Sequence, residues 1–478
     1  MVQRAFREIT EDEYTTRLIV FSDDYDAMRR IPDDILQGCP NRPGMEDDIG
    51  LPLTQVRDPG GYLSFGDRNN AKLIEFLGMI PGERPEFMSA TEHYRGGFFN
   101  AALENVARNY DAIMDIMLPT LGAERRATYS PFLPISPKTG KILQVPVQVL
   151  GPPESGTIRF EDEDGVEHQR YVGHGNTKLQ WKVDWAMRWG ALGIDYEMCG
   201  KDLTDSYRES SKIARVLGHE PPVNMIYEMF LDEHGAKQSK SKGNGMSIEQ
   251  WTHYGTLDSM SYTMFQTPTV AKKIHTAMIP RAQDDYYKSL ATYYTQTPEQ
   301  QRDNPVWHIH AGDPPRPMGG DISYGLLVNL AQITPGIDVV GLAGMLAQYR
   351  ELDRSNAHEI SILLPRVLRF CDWRRINGHS PQTRLPTEQE NLAIDDLVDR
   401  LSGMADDLDG EAYQYEVYEV GKAHGFDPLR LWFQGLYEVL FGDSNGPRFG
   451  TFIAAIGRKE AIRLLEHVGL NSLYENNR

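Results

Sequence analysis

The sequence predicts an α/β nucleotide-binding domain of the doubly wound kind, interrupted by a β-rich insertion and followed by an all-α region. Three observations carry this. A continuous apolar run at residues 18–21, in "TRLIVFSDD", suits a buried parallel strand and ends in acids, where open α/β sheets bind ligands. Between residues 125 and 177 the composition shifts to short β-rich runs separated by Pro and Gly turns. Beyond Trp251 the periodicity is mostly helical.

Taken in order, "MVQRAFREITEDEY" reads as the end of a helix that leads into the first strand. An acidic, Pro/Gly-rich loop at 31–61 follows. Phe99, Ala102, Leu103, Val106, Tyr110, Ile113, Met114 and Met117 then keep helical spacing up to Pro119, which predicts one amphipathic helix covering the sheet. The runs "KILQVPVQVL", "GTIRFEDEDG" and "EHQRYVG" make up the insertion. Helical and strand patterns resume through "WKVDWAMRWGALGIDYEMCGKD", a helix at about 206–217, and the run "NMIYEMFLD", which leads into a lysine-rich loop. This is the order of a split α/β domain over residues 1–250. In the helical half, Asp427 as N-cap, Pro428 at the first helical position, Leu429, Phe433, Leu436 and Leu440 on one face and Gly442 beyond predict a helix. A linker near "NGHSPQTRLPTEQE" divides this half into 251–380 and 381–478.

The chain is acidic, with 49 Lys+Arg against 68 Asp+Glu and a formal net charge of -19. A generally basic, sequence-blind nucleic-acid coat is excluded, and any polyanion must be gripped by a local patch. Cys39, Cys199 and Cys371 lie far apart, with no Cys-x-x-Cys pattern. The first residues hold no apolar signal core and no run of membrane-spanning length occurs. A soluble, cytoplasmic protein is expected.

"KQSKSKGNG", Lys237 to Gly245, is where such a patch is offered: between Ala236 and Ile248 stand three lysines and no acid. It is neither a Walker loop nor a dinucleotide fingerprint. A mobile surface turn would have the same composition. The loop also matches K-x-S-K-S, the second signature of class I aminoacyl-tRNA synthetases, and Gly243 and Gly245 suit hinges that let the lysines close over phosphate.

The surrounding sequence resembles the bacterial branch of the class I lysyl-tRNA synthetases. The pieces that carry the resemblance run from "RLIVFSDDYDAMRRIPDD" through "FGDRNNAKLIEFL", "TEHYRGGFF", "LPISPKTGKILQVPV", "GHGNTKLQWKVDWAMRWGALGIDYEMCGKDLTDSY" and "SKSKGNGMSIEQW" to "LRLWFQGLYEVLFGDSNGPRFGTFIA". They cover essentially the whole chain. The resemblance implies a Rossmann-type class I catalytic domain with a β-rich insertion, followed by helical regions that contact the tRNA stem (251–380) and the anticodon (381–478). It implies a lysine–tRNA ligase that uses ATP with Mg2+, L-lysine and tRNA(Lys), and a monomer is the expected state. Lys240 and Lys237 become the catalytic cations, point charges aimed at the triphosphate, and Ser239, Ser241 and Asp202 join them in the ATP site. In "CGKDL", Leu203 stands where many relatives have His.

Asp23, Asp24 and Asp26 are candidates for the substrate amines, with Arg29 to orient them; solvated loop acids are the plain alternative. Asp184, Trp185 and Trp189 are implied to line the amino-acid pocket, the tryptophans four residues apart on one helix face, although such pairs are commonly core. Arg366, Arg369, Arg374 and Arg375 in "RVLRFCDWRR" are candidates for tRNA phosphates, as are Lys272 and Lys273 in "AKKIH"; Tyr413, Tyr415, Trp432 and Arg448 are candidates for the bases. In "LPISPKTGK", Ser136 and Thr139 occupy the cysteine positions of an archaeal zinc knuckle, so no structural zinc is expected.

The resemblance also implies a departure. The family's first signature, H-x-G-x, precedes the helix that "MVQRAFREIT" resembles, so weak or no amino-acid activation is expected of the chain as written. His310 to Asp313 fits H-x-G-x superficially but belongs to the helical half and reads as a turn. Two rivals remain open: a catalytically silent tRNA-binding copy, and a glutamyl-type synthetase.

Overall fold

The computed structural model describes residues 1–31, 45–80, 82–152, 155–238, 244–317, 322–334, 336–347, 357–378, 382–406, 408–444 and 446–475. They form two compact units, one of residues 1–245 with 268–273 and one of residues 246–267 with 274–478.

The first unit opens with the helix Val2–Ile9 and strand β1 (Ile19–Ser22), which pairs in parallel with β2 (Glu86–Ser89) in the register Ile19 to Glu86. The sequence predicts a buried strand here. β1 is only half-buried throughout, because β2 is its single strand neighbour among the described residues. The predicted helix over 99–117 is two helices, Asn100–Arg108 and Tyr110–Met117. At the break, the Asn109 side chain donates to the Asn105 carbonyl at 2.9 Å, so an amide side chain competes for a helical acceptor.

The insertion pairs β3 (Phe132–Pro134) antiparallel with β7 (Thr177–Leu179) and holds a three-stranded antiparallel sheet of β4 (Gln148–Leu150), β5 (Thr157–Glu161) and β6 (Glu167–Tyr171). At the knuckle, the Ser136 and Thr139 hydroxyls donate to Glu163 at 2.8 and 2.7 Å, tying the turn to the β5–β6 hairpin through a carboxylate. Next come the helix Trp181–Leu192, closed by Gly193 at φ 65, then β8 (Tyr196–Gly200), the helix Thr204–Val216 and β9 (Val223–Tyr227), parallel to β8. Only glycine takes that left-handed C-cap without cost. A core of Tyr94, Phe99, Leu103, Ile113, Phe132, Ile158, Trp185, Trp189 and Ile213 joins the helices to the insertion. Last, β10 (Phe230–Leu231) pairs with β11 (Lys272–Lys273).

The second unit is helical. Its core runs from Tyr324 and Leu327 through Leu363, Leu397 and Val417 to Trp432, Phe452 and Leu465. The helix predicted from Pro428 spans Arg430–Phe441 and starts two residues later, with Leu429 as N-cap and Gly442 closing it at φ 67. His310 to Asp313 is a turn after the helix Pro305–Ile309, where the Tyr286 hydroxyl and His310 Nε2 are 2.8 Å apart.

Candidate active site

The end of β1 delivers three carboxylates with different environments. Asp24 is buried, and its oxygens are already taken: Ser89 Oγ at 2.5 Å, Asn70 Nδ2 at 2.8 Å and the Thr91 amide at 2.8 Å. It brackets β1 against the helices that follow. Asp23 and Asp26 have side chains 40% and 41% exposed and reach a shared charge network.

Asp184 is at the centre of that network. It lies in the first turn of the Trp181–Leu192 helix, where the helix dipole favours negative charge, and is 0% exposed. Its Oδ1 accepts from the Tyr94 hydroxyl. Around its Oδ2 are Arg188 Nε at 3.4 Å and Lys178 Nζ at 3.7 Å, yet neither Oδ2 nor that Nε has a hydrogen-bond partner. Lys178, buried at the end of the insertion, donates to Asp26, and Arg188 Nη1 donates to Asp23 at 2.8 Å. The Arg188 guanidinium lies 4.4 Å from the Phe21 ring centroid and 5.6 Å from that of Trp181. Arg29, by contrast, is exposed; the orienting cation is Arg188.

Burial acts against both cations, but Asp184 and its neighbours outweigh it and hold Lys178 and Arg188 above their ordinary pKa. Asp23 is pushed up by burial, with Arg188 opposing.

Trp185 and Trp189 are both buried and pack into the core; Trp185 stacks on Trp181 at 5.0 Å and meets Trp189 at a tilt, also at 5.0 Å. Their indole N–H groups both donate to Glu197 Oε2 on β8, at 3.3 and 3.1 Å. Glu197, Lys178 and Arg188 have no sequence signal of their own, since only the fold brings them to Asp23 and Asp26. A buried-looking helix carrying Asp184 was the one available hint.

On the phosphate side, Lys237 Nζ donates to Asp202 Oδ2 at 3.2 Å, so two residues expected in the ATP site are neighbours. Lys237 bridges back to Leu231, and Asn244 Nδ2 donates to Asp232 at 2.8 Å, which closes the stem of the lysine loop. Hydrogen bonds from Asn244 and backbone amides hold the Asp232 carboxyl below its ordinary pKa. Ser239, Lys240, Ser241 and Gly243 lie outside the described residues. Among the described residues no group of three His, Cys, Asp or Glu could hold a metal.

In the helical unit, Arg366 donates to the Thr252, Gly255 and Ile362 carbonyls, and so caps the helix Ile248–Tyr254. Arg369 donates to the Pro365 carbonyl, with His253 at 3.3 Å. Arg374 pairs with Asp443 at 3.2 Å, and Arg375, 74% exposed, with Asp372 at 3.0 Å. Tyr413 and Trp432 are core residues, whereas Tyr415 is exposed. Arg448 pairs with Glu411.

A unit with parallel strand pairs, acids after β1 and a lysine-rich stretch after β10 is matched, over residues 1–313, by the family model for class I tRNA synthetases (K). The chain belongs to the class I tRNA synthetases. Its relatives include a lysine–tRNA ligase of Roseobacter denitrificans, 42% identical over 98% of this chain and 86% of that protein. A lysine–tRNA ligase of Rickettsia felis is 41% identical over 98% of this chain and 87% of its own. Among solved structures, a glutamate tRNA ligase from Elizabethkingia meningosepticum aligns over 87% of this chain and 90% of its own, at 12% identity and a TM-score of 0.30.

Proposed function

We infer that the protein is an ATP-dependent lysine–tRNA ligase. The observation that carries this is the 41–42% identity to lysine–tRNA ligases over 98% of the chain. In the reaction, the lysine carboxylate attacks the α-phosphorus of ATP, the bond to the β-phosphate breaks, and pyrophosphate leaves with its magnesium. The 3′-terminal ribose hydroxyl of the tRNA then attacks the lysyl carbonyl and AMP departs.

The residues divide by charge. Lys237 and Lys240 meet the charge that develops on the pyrophosphate, with Ser239, Ser241 and Asp202 beside them. The Asp202–Lys237 pair supports this, because it parks the ammonium at the loop stem until phosphate replaces the carboxylate. Asp23, Asp26 and Asp184 supply the negative potential for the substrate amines. We further propose that residues 1–250 form a Rossmann-type catalytic domain and that the helical regions 251–380 and 381–478 take the tRNA stem and anticodon. Arg375 is the most exposed of the four candidate phosphate contacts. A cytoplasmic monomer is part of the same proposal; separately, among the described residues no helix is long and apolar enough to cross a membrane.

Lysine-dependent pyrophosphate exchange tests the reading. Exchange is expected to depend on lysine and to fall roughly 10²–10³-fold in Lys240→Ala. Exchange driven by glutamate, or untouched by that substitution, overturns it.

A further inference from the structure

Glu197 is the carboxylate near the acid network whose hydrogen bonds come from two indoles and no cation. Both indoles, from Trp185 and Trp189, converge on Oε2. Oε1 has no hydrogen-bond partner among the described residues, and the side chain is half-buried, so that oxygen is neither committed nor sealed off. Two indole donors aimed at one oxygen fix the carboxylate plane and leave the second oxygen at a defined place.

Its electrostatic surroundings are incomplete in the same direction. Asp23 and Arg188 act on Glu197 through space, the first repelling and the second attracting its charge. Asp23, Asp26, Asp184 and Glu197 together face only Lys178 and Arg188. Asp184 Oδ2 and Arg188 Nε, both buried, are left without hydrogen-bond partners inside this network. Four carboxylates against two cations leave a negative potential at the partly exposed end of the network, around Asp23, Asp26 and Glu197, which suits a cationic ligand.

We propose that Glu197 is a specificity-determining residue, its Oε1 accepting the side-chain ammonium of the amino-acid substrate, with Trp185 and Trp189 as positioning residues that hold the carboxylate from behind. This rests on the lysine reading above and deepens it. The tryptophans then act by orienting Glu197, where the resemblance implies that they line the amino-acid pocket themselves. A neutral side chain of equal length leaves Oε1 desolvated and unpaired, so the carboxylate discriminates by penalty as well as by attraction.

Equilibrium binding of L-lysine and of L-norleucine to the protein tests it. The parent protein is expected to prefer lysine. In Glu197→Gln that preference is expected to shrink about 10- to 100-fold, the worth of one charge-assisted hydrogen bond, with ATP affinity unchanged. Glu197→Asp covers the case in which the glutamine variant does not fold: retracting the carboxylate by one carbon shifts the preference from lysine toward homolysine. If the parent protein does not prefer lysine at all, the lysine reading itself fails. If it does, but Glu197→Gln keeps the same lysine-to-norleucine ratio, or Glu197→Asp shows no shift toward homolysine, Glu197 only braces the tryptophans and the proposal is overturned.

Discussion

At the scale of single residues, the Asp184 network shows charge placed where it is costly. Removing ions from water costs several kcal/mol each, and the pairs compensate only when all members are present. Asp184→Ala leaves Lys178 and Arg188 facing Asp26 and Asp23 alone, so the first unit is expected to lose about 3–5 kcal/mol, measured as a lowered urea midpoint. A loss within about 0.5 kcal/mol would mean that water already solvates the cluster. That the acids in "SDDYD" follow a strand end was legible, but not their division of labour. Asp24 went to bracing and Asp23 and Asp26 to the network, because Ser89, Asn70 and Thr91 reach only Asp24. Lys178 and Glu197 were illegible: neither belongs to a local pattern, and Lys178 meets Asp26 only through the insertion's return strand.

At the scale of elements, helix ends decide several local features. Asp284, on the helix Ile279–Tyr293, accepts from the Tyr324 and Gly325 amides, at 2.5 and 3.3 Å, and so satisfies the open N-terminus of the helix Tyr324–Ile333. Burial nevertheless outweighs those two amides and Lys288, with Asp285 adding repulsion, and pushes the carboxyl up to about 6. The folded unit therefore binds the proton more tightly than the unfolded chain, and stability falls as pH rises from about 4 to about 6. The size is about 3 kcal/mol at most, one pKa unit being worth roughly 1.4 kcal/mol. Thermal melts of the second unit across that range should show the decline, and Asp284→Asn should flatten it while keeping an acceptor for the amides. Element existence was well marked in the sequence: the strand at 18–21, the helix near 206–217 and the helix closed by Gly442 all form. Boundaries were not, as Asn109 shows, because a side-chain amide bonding to the backbone leaves no trace in hydrophobic period.

At the scale of the whole molecule, two units with separate cores imply two unfolding events. Calorimetry is expected to resolve them, and lysine with ATP to raise only the transition of the first unit, by about 2.7 kcal/mol at a hundredfold excess over Kd. A rise in both, or only in the second, would place the amino-acid site elsewhere. The parallel pairs β1–β2 and β8–β9 carry a last implication. Among the described residues each of these strands has a strand neighbour on one side only, and Leu18, Tyr196, Met198 and Val223 lie exposed on or beside them. Such rims are templates onto which any extended apolar chain can crystallise its own amides and carbonyls. Against such pairing between copies of the protein stands a long-range term: a net charge of -19, which makes copies repel one another. Its colloidal behaviour is thus tied to ionic strength, and salt that screens the repulsion beyond about 10 Å exposes the rims to one another.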